Sequence, residues 1–141
     1  MFGKGIIDFI GTDHAPHSTL EKMSENPPSG IAGIEWLLPM MLHFRERSGI
    51  SWERFQEFMT RNAARCFNIA GRDGIKEGNF ADLIFIRQED FGSPDKNVQT
   101  RAGVNIYNNF HLKWQVLAAM INGGFKYRAG KFLSSNSGYE V

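Results

Sequence analysis

Asp13, His14 and His17 fall within five residues, in the stretch Gly11-Thr-Asp-His-Ala-Pro-His17. A carboxylate and two imidazoles at that density are the groups that bind divalent metals and carry protons in hydrolysis. A catalytic zinc site, however, takes three protein ligands and a water. One further carboxylate, Glu21, and no third histidine lie close by in sequence. The competing reading for Asp13 is a turn cap, a common use of aspartate. A lone histidine is more often a hydrogen-bonded structural group than a ligand. Pro16 stiffens the stretch, which favours a fixed site. His17 could donate to an anion, as a carboxylate-bearing substrate would require.

Those residues need a strand and a loop to position them. The Ile-rich run "GIIDFIG", residues 5–11, predicts a short buried strand bounded by glycines. Asp13 then sits just past its carboxyl end, where α/β folds build their sites. Residues 12–30 have loop composition, with Pro16, Pro27, Pro28 and Gly30. Loops this long in compact domains are functional or disordered. Within them "NPPSGIAG", residues 26–33, is a second candidate. Gly30 and Gly33 let backbone approach a ligand, and the following helix start offers free amides. The plain alternative is a loop entering a helix.

Apolar residues at 34, 37, 38, 41 and 42 predict a helix over 31–47, kinked or effectively started by Pro39. Gly49 ends it. Ser51 caps a helix over 52–59, and Thr60 caps a third over 61–68 that turns Ala63, Ala64, Cys66 and Phe67 inward. Turn glycines at 71, 74 and 78 then open a β-rich half, with a strand-like run from Ala81 to Ile86. "NGG" at 122–124 marks a hairpin. The expected divisions are 1–70, 71–133 and a frayed tail, 134–141.

The chain has 141 residues, enough for one ordinary domain. Its 42% hydrophobic and 22% charged residues are globular composition, and a net charge of +1 gives no reason to expect nucleic acid or a membrane as partner. No apolar run would span a bilayer and the N-terminus does not resemble a secretory leader, so the expected compartment is the cytosol. The single cysteine, Cys66, is expected buried and inert. A buried strand this early needs neighbours on both sides. Either the chain supplies them later or it is part of something larger.

Taken together, "DFIGTDHAPHSTLEK" and "NPPSGIAGIEWLLPMML" resemble the dihydroorotases, cyclic amidases of the amidohydrolase superfamily. "TRNAARCFNIAGRDGIKEGNFADLIFI" is similar to that family's helix, Gly-rich turn and Ala-Asp-Leu strand start. "AAMINGGFKYRAGKF" resembles its closing strand pair. The resemblance covers nearly all of the chain but only the C-terminal third of a typical member. "TDHAPH" and "PSGxxGxE" fit this family better than the dihydropyrimidinases or allantoinases.

The resemblance implies an α/β fold: the last strand and closing helices of a (β/α)8 metal-dependent hydrolase barrel, plus the C-terminal share of a small β-subdomain. It implies that Asp13 is both a metal ligand and a proton carrier, passing a proton from the metal-bound hydroxide to the departing amide nitrogen. His17 would contact the substrate carboxylate, and Ser29 and Gly30 would contact the substrate through backbone groups. His14 would support the loop without touching metal. The implied cofactor is zinc, one or two ions in a complete enzyme, and the reaction interconverts L-dihydroorotate and N-carbamoyl-L-aspartate in pyrimidine biosynthesis.

The chain departs from the family in two ways. Asn62-Ala63-Ala64 stands where the family has Asn-Pro-Ala, and residues 102–114, with His111, lack its Pro and Gly pattern. The family's His-x-His, bridging lysine and two further metal histidines would all lie upstream of residue 1. His43, on a helix, is expected at the surface or in packing. The chain alone is therefore expected to bind zinc unstably and to be inactive. The expected partners are the missing N-terminal barrel segment or a second copy. The alternatives are a non-catalytic, self-associating module, or a segment of a related cyclic amidase such as a dihydropyrimidinase.

Overall fold

The computed structural model describes residues 6–92 and 98–134. Helices fill the first half and strands the second. The described residues form two compact units: residues 6–10, 45–87 and 116–134 in one, and 11–44, 88–92 and 98–115 in the other.

Local chemistry explains most helix boundaries. The short helix α1 (Thr19–Lys22) starts at a capping box. The Ser18 hydroxyl accepts from the Glu21 N–H while the Glu21 carboxylate accepts from the Ser18 N–H at 2.7 Å. That bond and the Ser18 hydroxyl hold the Glu21 carboxyl below its ordinary range. A 3-10 turn, Ile34–Trp36, leads into α2 (Leu37–Ser48). Pro39 thus falls in the first turn of α2, where its missing N–H costs nothing. Gly49 ends the helix at φ 67°, and the Ser51 side chain caps α3 (Trp52–Gln56) by accepting from the Arg54 N–H.

The third helix differs from expectation. There is no break at Thr60, whose hydroxyl bonds back to the Gln56 carbonyl at 2.9 Å. The chain instead passes through a π-helical turn, Glu57–Arg61, directly into α4 (Asn62–Cys66). Ala64 is buried, but Cys66 and Phe67 are exposed. Within α4, Cys66 lies about 200° around the helix from the buried Ala64, and Phe67 falls past the helix end at Cys66, where helical counting no longer applies.

Residues 6–11 pair with no strand among the described residues, and Gly5 lies outside them. A ladder needs a neighbouring strand. Here the polar main-chain groups meet helix residues of the same unit. Ile10 donates to the Phe58 carbonyl at 3.2 Å. The Ile7 and Asp8 carbonyls accept from Arg54 Nη2 at 3.1 Å and Asn62 Nδ2 at 2.8 Å.

The sheet has the order β1 (Leu83–Gly92), β2 (Leu112–Ile121), β3 (Gly124–Arg128) and β4 (Lys131–Phe132). β2 and β3 are antiparallel, with a bulge between Ala119 and Met120. Asn122 and Gly123 join them at φ 50° and 78°, the turn that "NGG" predicts. Ala129 and Gly130, at φ 48° and 80°, make a second such turn into β4. Before the sheet, the Gly-rich turn is tied to the first hairpin through Asp82. Its carboxylate pairs with Arg72 and accepts from the Asn122 N–H at 2.7 Å. Residues 135–141 of the expected tail lie outside the described residues.

Phe58, Leu42 and Leu112 are the largest fully buried side chains. Phe58 meets the ring of Phe55 edge-on at 5.4 Å between centroids. Phe58→Ala is expected to cost about 3–5 kcal/mol, as a cavity replaces a buried ring; urea denaturation of the variant against the parent chain measures it.

Asp73 gives a pH signature. It accepts from Lys76 Nζ at 2.5 Å and Asn79 Nδ2 at 3.0 Å. The Lys76 bond first, and then the Asn79 bond, lowers its carboxyl from 3.8 to about 2. A depressed carboxyl stabilises the turn above its unfolded value and loses that contribution as pH falls through the folded one. The expected window is therefore between 3.8 and about 2. A carboxyl-carbon NMR titration should give a midpoint near about 2 in the parent chain, and Lys76→Met should move it back toward the ordinary range.

Candidate functional site

All the site residues read from the sequence belong to one unit, residues 11–44 with 88–92 and 98–115. Asp13 is exposed and sits at φ 45°, a left-handed conformation that aspartate tolerates better than most residues. Among the described residues its carboxylate has no hydrogen-bond or ion-pair partner. It is therefore open to a ligand. A three-residue turn around Pro16 follows, with the His17 N–H donating to the Ala15 carbonyl at 3.0 Å. His17 is half-buried, and its Nδ1 lies 4.0 Å from Glu21 Oε1.

The second candidate stretch is held beside the first. His14 and Ile31 form a parallel bridge, and the Ala15 N–H donates to the Ile31 carbonyl at 2.9 Å. His14 Nδ1 also accepts from the Ile34 N–H at 3.2 Å. That bond puts the ring proton of the neutral form on Nε2 and ties His14 to the start of the 3-10 turn.

Gly30 allows the approach. Its φ is 103° and an added Cβ would fall 2.4 Å from the Ala15 Cβ. Any side chain there would push the two stretches apart. At Gly33 an added Cβ would make only ordinary contacts, with Tyr107 Oη at 3.5 Å and the Thr12 carbonyl at 3.8 Å, so the approach does not depend on that glycine. The bridge therefore brings Asp13 and the His17 turn alongside the Ser29–Gly30 loop.

Two residues of this loop system were not singled out from sequence. Lys22 Nζ donates to the Pro28 carbonyl at 2.6 Å and the Gly30 carbonyl at 2.7 Å. Glu35 accepts from the Gln99 N–H through both oxygens, at 3.0 and 3.1 Å, and from the Thr100 N–H at 3.2 Å. Glu35 is the glutamate of "PSGxxGxE", and its task here is to hold a distant stretch of chain. No local pattern reveals either role, because the partners are loop backbone.

The remaining histidines are engaged elsewhere. His43 meets the Phe110 ring edge-on at 6.2 Å, and His111 Nε2 lies 2.7 Å from Asp90 Oδ1. The described residues contain no group of three or more His, Cys, Asp or Glu side chains placed to hold a metal ion. Asp13 offers one carboxylate where a catalytic zinc needs three protein ligands. The residues present thus do not by themselves fit the zinc that the resemblance implies. In the other unit, a shallow depression of about 440 Å³ lies along Ala64, Arg65 and Asn68–Gly71. It holds none of the candidate residues. No helix among the described residues is long and apolar enough to cross a membrane.

The chain is similar to known proteins. A dihydroorotase from Endomicrobium trichonymphae is 45% identical over 85 residues, which cover 58% of this chain and 20% of that protein. One from Caldanaerobacter subterraneus subsp. tengcongensis is 30% identical over 131 residues, covering 90% of this chain and 30% of that protein. Among solved structures, a D-hydantoinase (dihydropyrimidinase) from Thermus sp. superposes with a TM-score of 0.84 at 23% identity, over 95% of this chain and 31% of that one. This likeness is one of fold, and it matches the expected part-barrel with a share of a β-subdomain. The chain spans less than a third of the length of these relatives. The amidohydrolase family pattern matches residues 2–125, and the chain belongs to that family.

Proposed function

We propose that this chain carries the substrate-loop side of a dihydroorotase site, acting on the cyclic amide between L-dihydroorotate and N-carbamoyl-L-aspartate. The observation that carries the reading is the His14–Ile31 bridge, which sets the Asp13–His17 stretch alongside the Ser29–Gly30 loop. Opening the ring requires water to lose a proton as it attacks the carbonyl, and the departing nitrogen to gain one. Asp13, with no partner of its own among the described residues, is the group to carry that proton. His17 donates to the substrate carboxylate. Backbone groups of Ser29 and Gly30 hold the substrate in place. The other metal ligands come from a segment outside these 141 residues, and Asp13 is the one this chain adds.

A second reading, an interaction module that associates with a copy of itself or another chain, is favoured by the apolar surface of the same unit. Leu20, Met23, Ile31 and Ile34 are all exposed there, and large apolar side chains left in solvent favour association where they form one patch.

The two readings separate by complementation. The purified chain with zinc should not turn over dihydroorotate. Coexpressed with a polypeptide carrying the family's metal histidines, it should. In that complex Asp13→Asn should lower kcat about 10²–10⁴-fold. Turnover unchanged by Asp13→Asn, or no turnover from the complex at all, removes the enzymatic reading. In the same complex His17→Ala should raise KM for dihydroorotate about tenfold or more, the loss of a charge-assisted bond. It should leave dihydrouracil, which lacks the carboxylate, unaffected. Equal effects on both substrates would point to a dihydropyrimidinase-type amidase instead.

A further inference from the structure

The Ser29–Gly30 loop contacts substrate only if its peptide groups face outward, and something must turn them. Residues 23–30 contain no helix or strand. The fixed point nearest in sequence is α1, four residues long and closed by the Ser18–Glu21 capping box. Lys22 is its last residue. Its ammonium has three donors and no acceptor, and two of the three go to the carbonyls of Pro28 and Gly30, at 2.6 and 2.7 Å. Both bonds are charge-assisted, and both carbonyls flank Ser29.

The geometry of the peptide unit does the rest. No peptide bond among the described residues is cis. In a trans peptide the C=O of one residue and the N–H of the next point in opposite directions. A Pro28 carbonyl held on Lys22 therefore directs the Ser29 N–H away from Lys22. Neither the Ser29 nor the Gly30 N–H has an acceptor among the described residues. We propose that Lys22 is a positioning residue: by holding the Pro28 and Gly30 carbonyls it presents the Ser29 amide as an outward donor for substrate. The proposal rests on the dihydroorotase reading for the identity of the substrate, but not for the orientation of the loop.

NMR on the isotope-labelled 141-residue chain tests it. Scalar couplings across hydrogen bonds should connect Lys22 Nζ with the Pro28 and Gly30 carbonyl carbons; a freely rotating ammonium with no such coupling overturns the proposal. Lys22→Met keeps the stem and removes the donors. It should lower the backbone amide order parameters of Ser29 and Gly30 to below about 0.6, while amide exchange at Gly123, whose N–H donates to the Ala81 carbonyl, stays at the parent rate. Lys22→Arg, which keeps the donors, should restore the parent order parameters. Order parameters unchanged in Lys22→Met overturn the proposal. Should Gly123 exchange faster in that variant, it has lost its fold and the couplings in the parent chain decide. Finally, in the complex with the polypeptide carrying the metal histidines, L-dihydroorotate should shift the Ser29 amide of the parent and Lys22→Arg chains but not of Lys22→Met. No shift in a parent complex that turns over dihydroorotate, with couplings and order parameters as expected, removes the substrate contact at Ser29 and leaves the positioning role intact.

Discussion

Between Met23 and Ile31 the main chain has no ladder or helix to absorb its polar groups, and that need for partners organises the candidate site. A loop can leave such groups to water, but then its shape is not fixed. Here side chains do the work of secondary structure. Lys22 takes two carbonyls, His14 accepts one amide, and Glu35 gathers two more from residues 99 and 100. None of the three performs chemistry in the proposed reaction. Lys22 and His14 hold the backbone beside Asp13, and Glu35 ties a more distant stretch to the same unit, at little cost in residues. The absence of side-chain bulk at Gly30 completes the arrangement, since a methyl group there would occupy the place of the Ala15 Cβ.

This division of labour decides what could be read in the sequence. Features carried by one or two adjacent residues were legible. Ser51 caps its helix, Asn122-Gly123 turns its hairpin, and Pro39 sits where a helix begins, each because the residue type nearly dictates the local backbone. The Asp13–His17 stretch was legible as candidate chemistry for the same reason. The second hairpin was not, because Ala129 at φ 48° carries none of the usual turn chemistry. Lys22 and Glu35 were not, because their partners are main-chain groups that no residue type announces. The exposed Phe67 and Cys66 were missed for a geometric reason. Cys66 lies about 200° around the helix from the buried Ala64, and α4 ends one residue before Phe67.

The Gly-rich turn and its Ala-Asp-Leu continuation have a structural task. Asp82 is anchored on both sides, by the Arg72 guanidinium and by the Asn122 amide, and Arg72 also lies over the Phe80 ring at 4.5 Å. The turn glycines adopt positive φ so that Asp73, Lys76 and Asn79 can close a polar knot among themselves. These residues build a connection between helices and sheet. Their bonds are all internal to that connection, whereas Asp13 is exposed and its carboxylate has no partner among the described residues.

The exposed thiol has a consequence of its own. Cys66 is the one cysteine of the chain, so a disulfide formed by this polypeptide alone must join two molecules. Air oxidation would then create covalent pairs that mimic true self-recognition on a sizing column. Reductant becomes the control that separates chemistry at one sulfur from complementarity between surfaces. The same solitary thiol accepts one reporter group per chain, at the end of a helix that carries none of the proposed site residues.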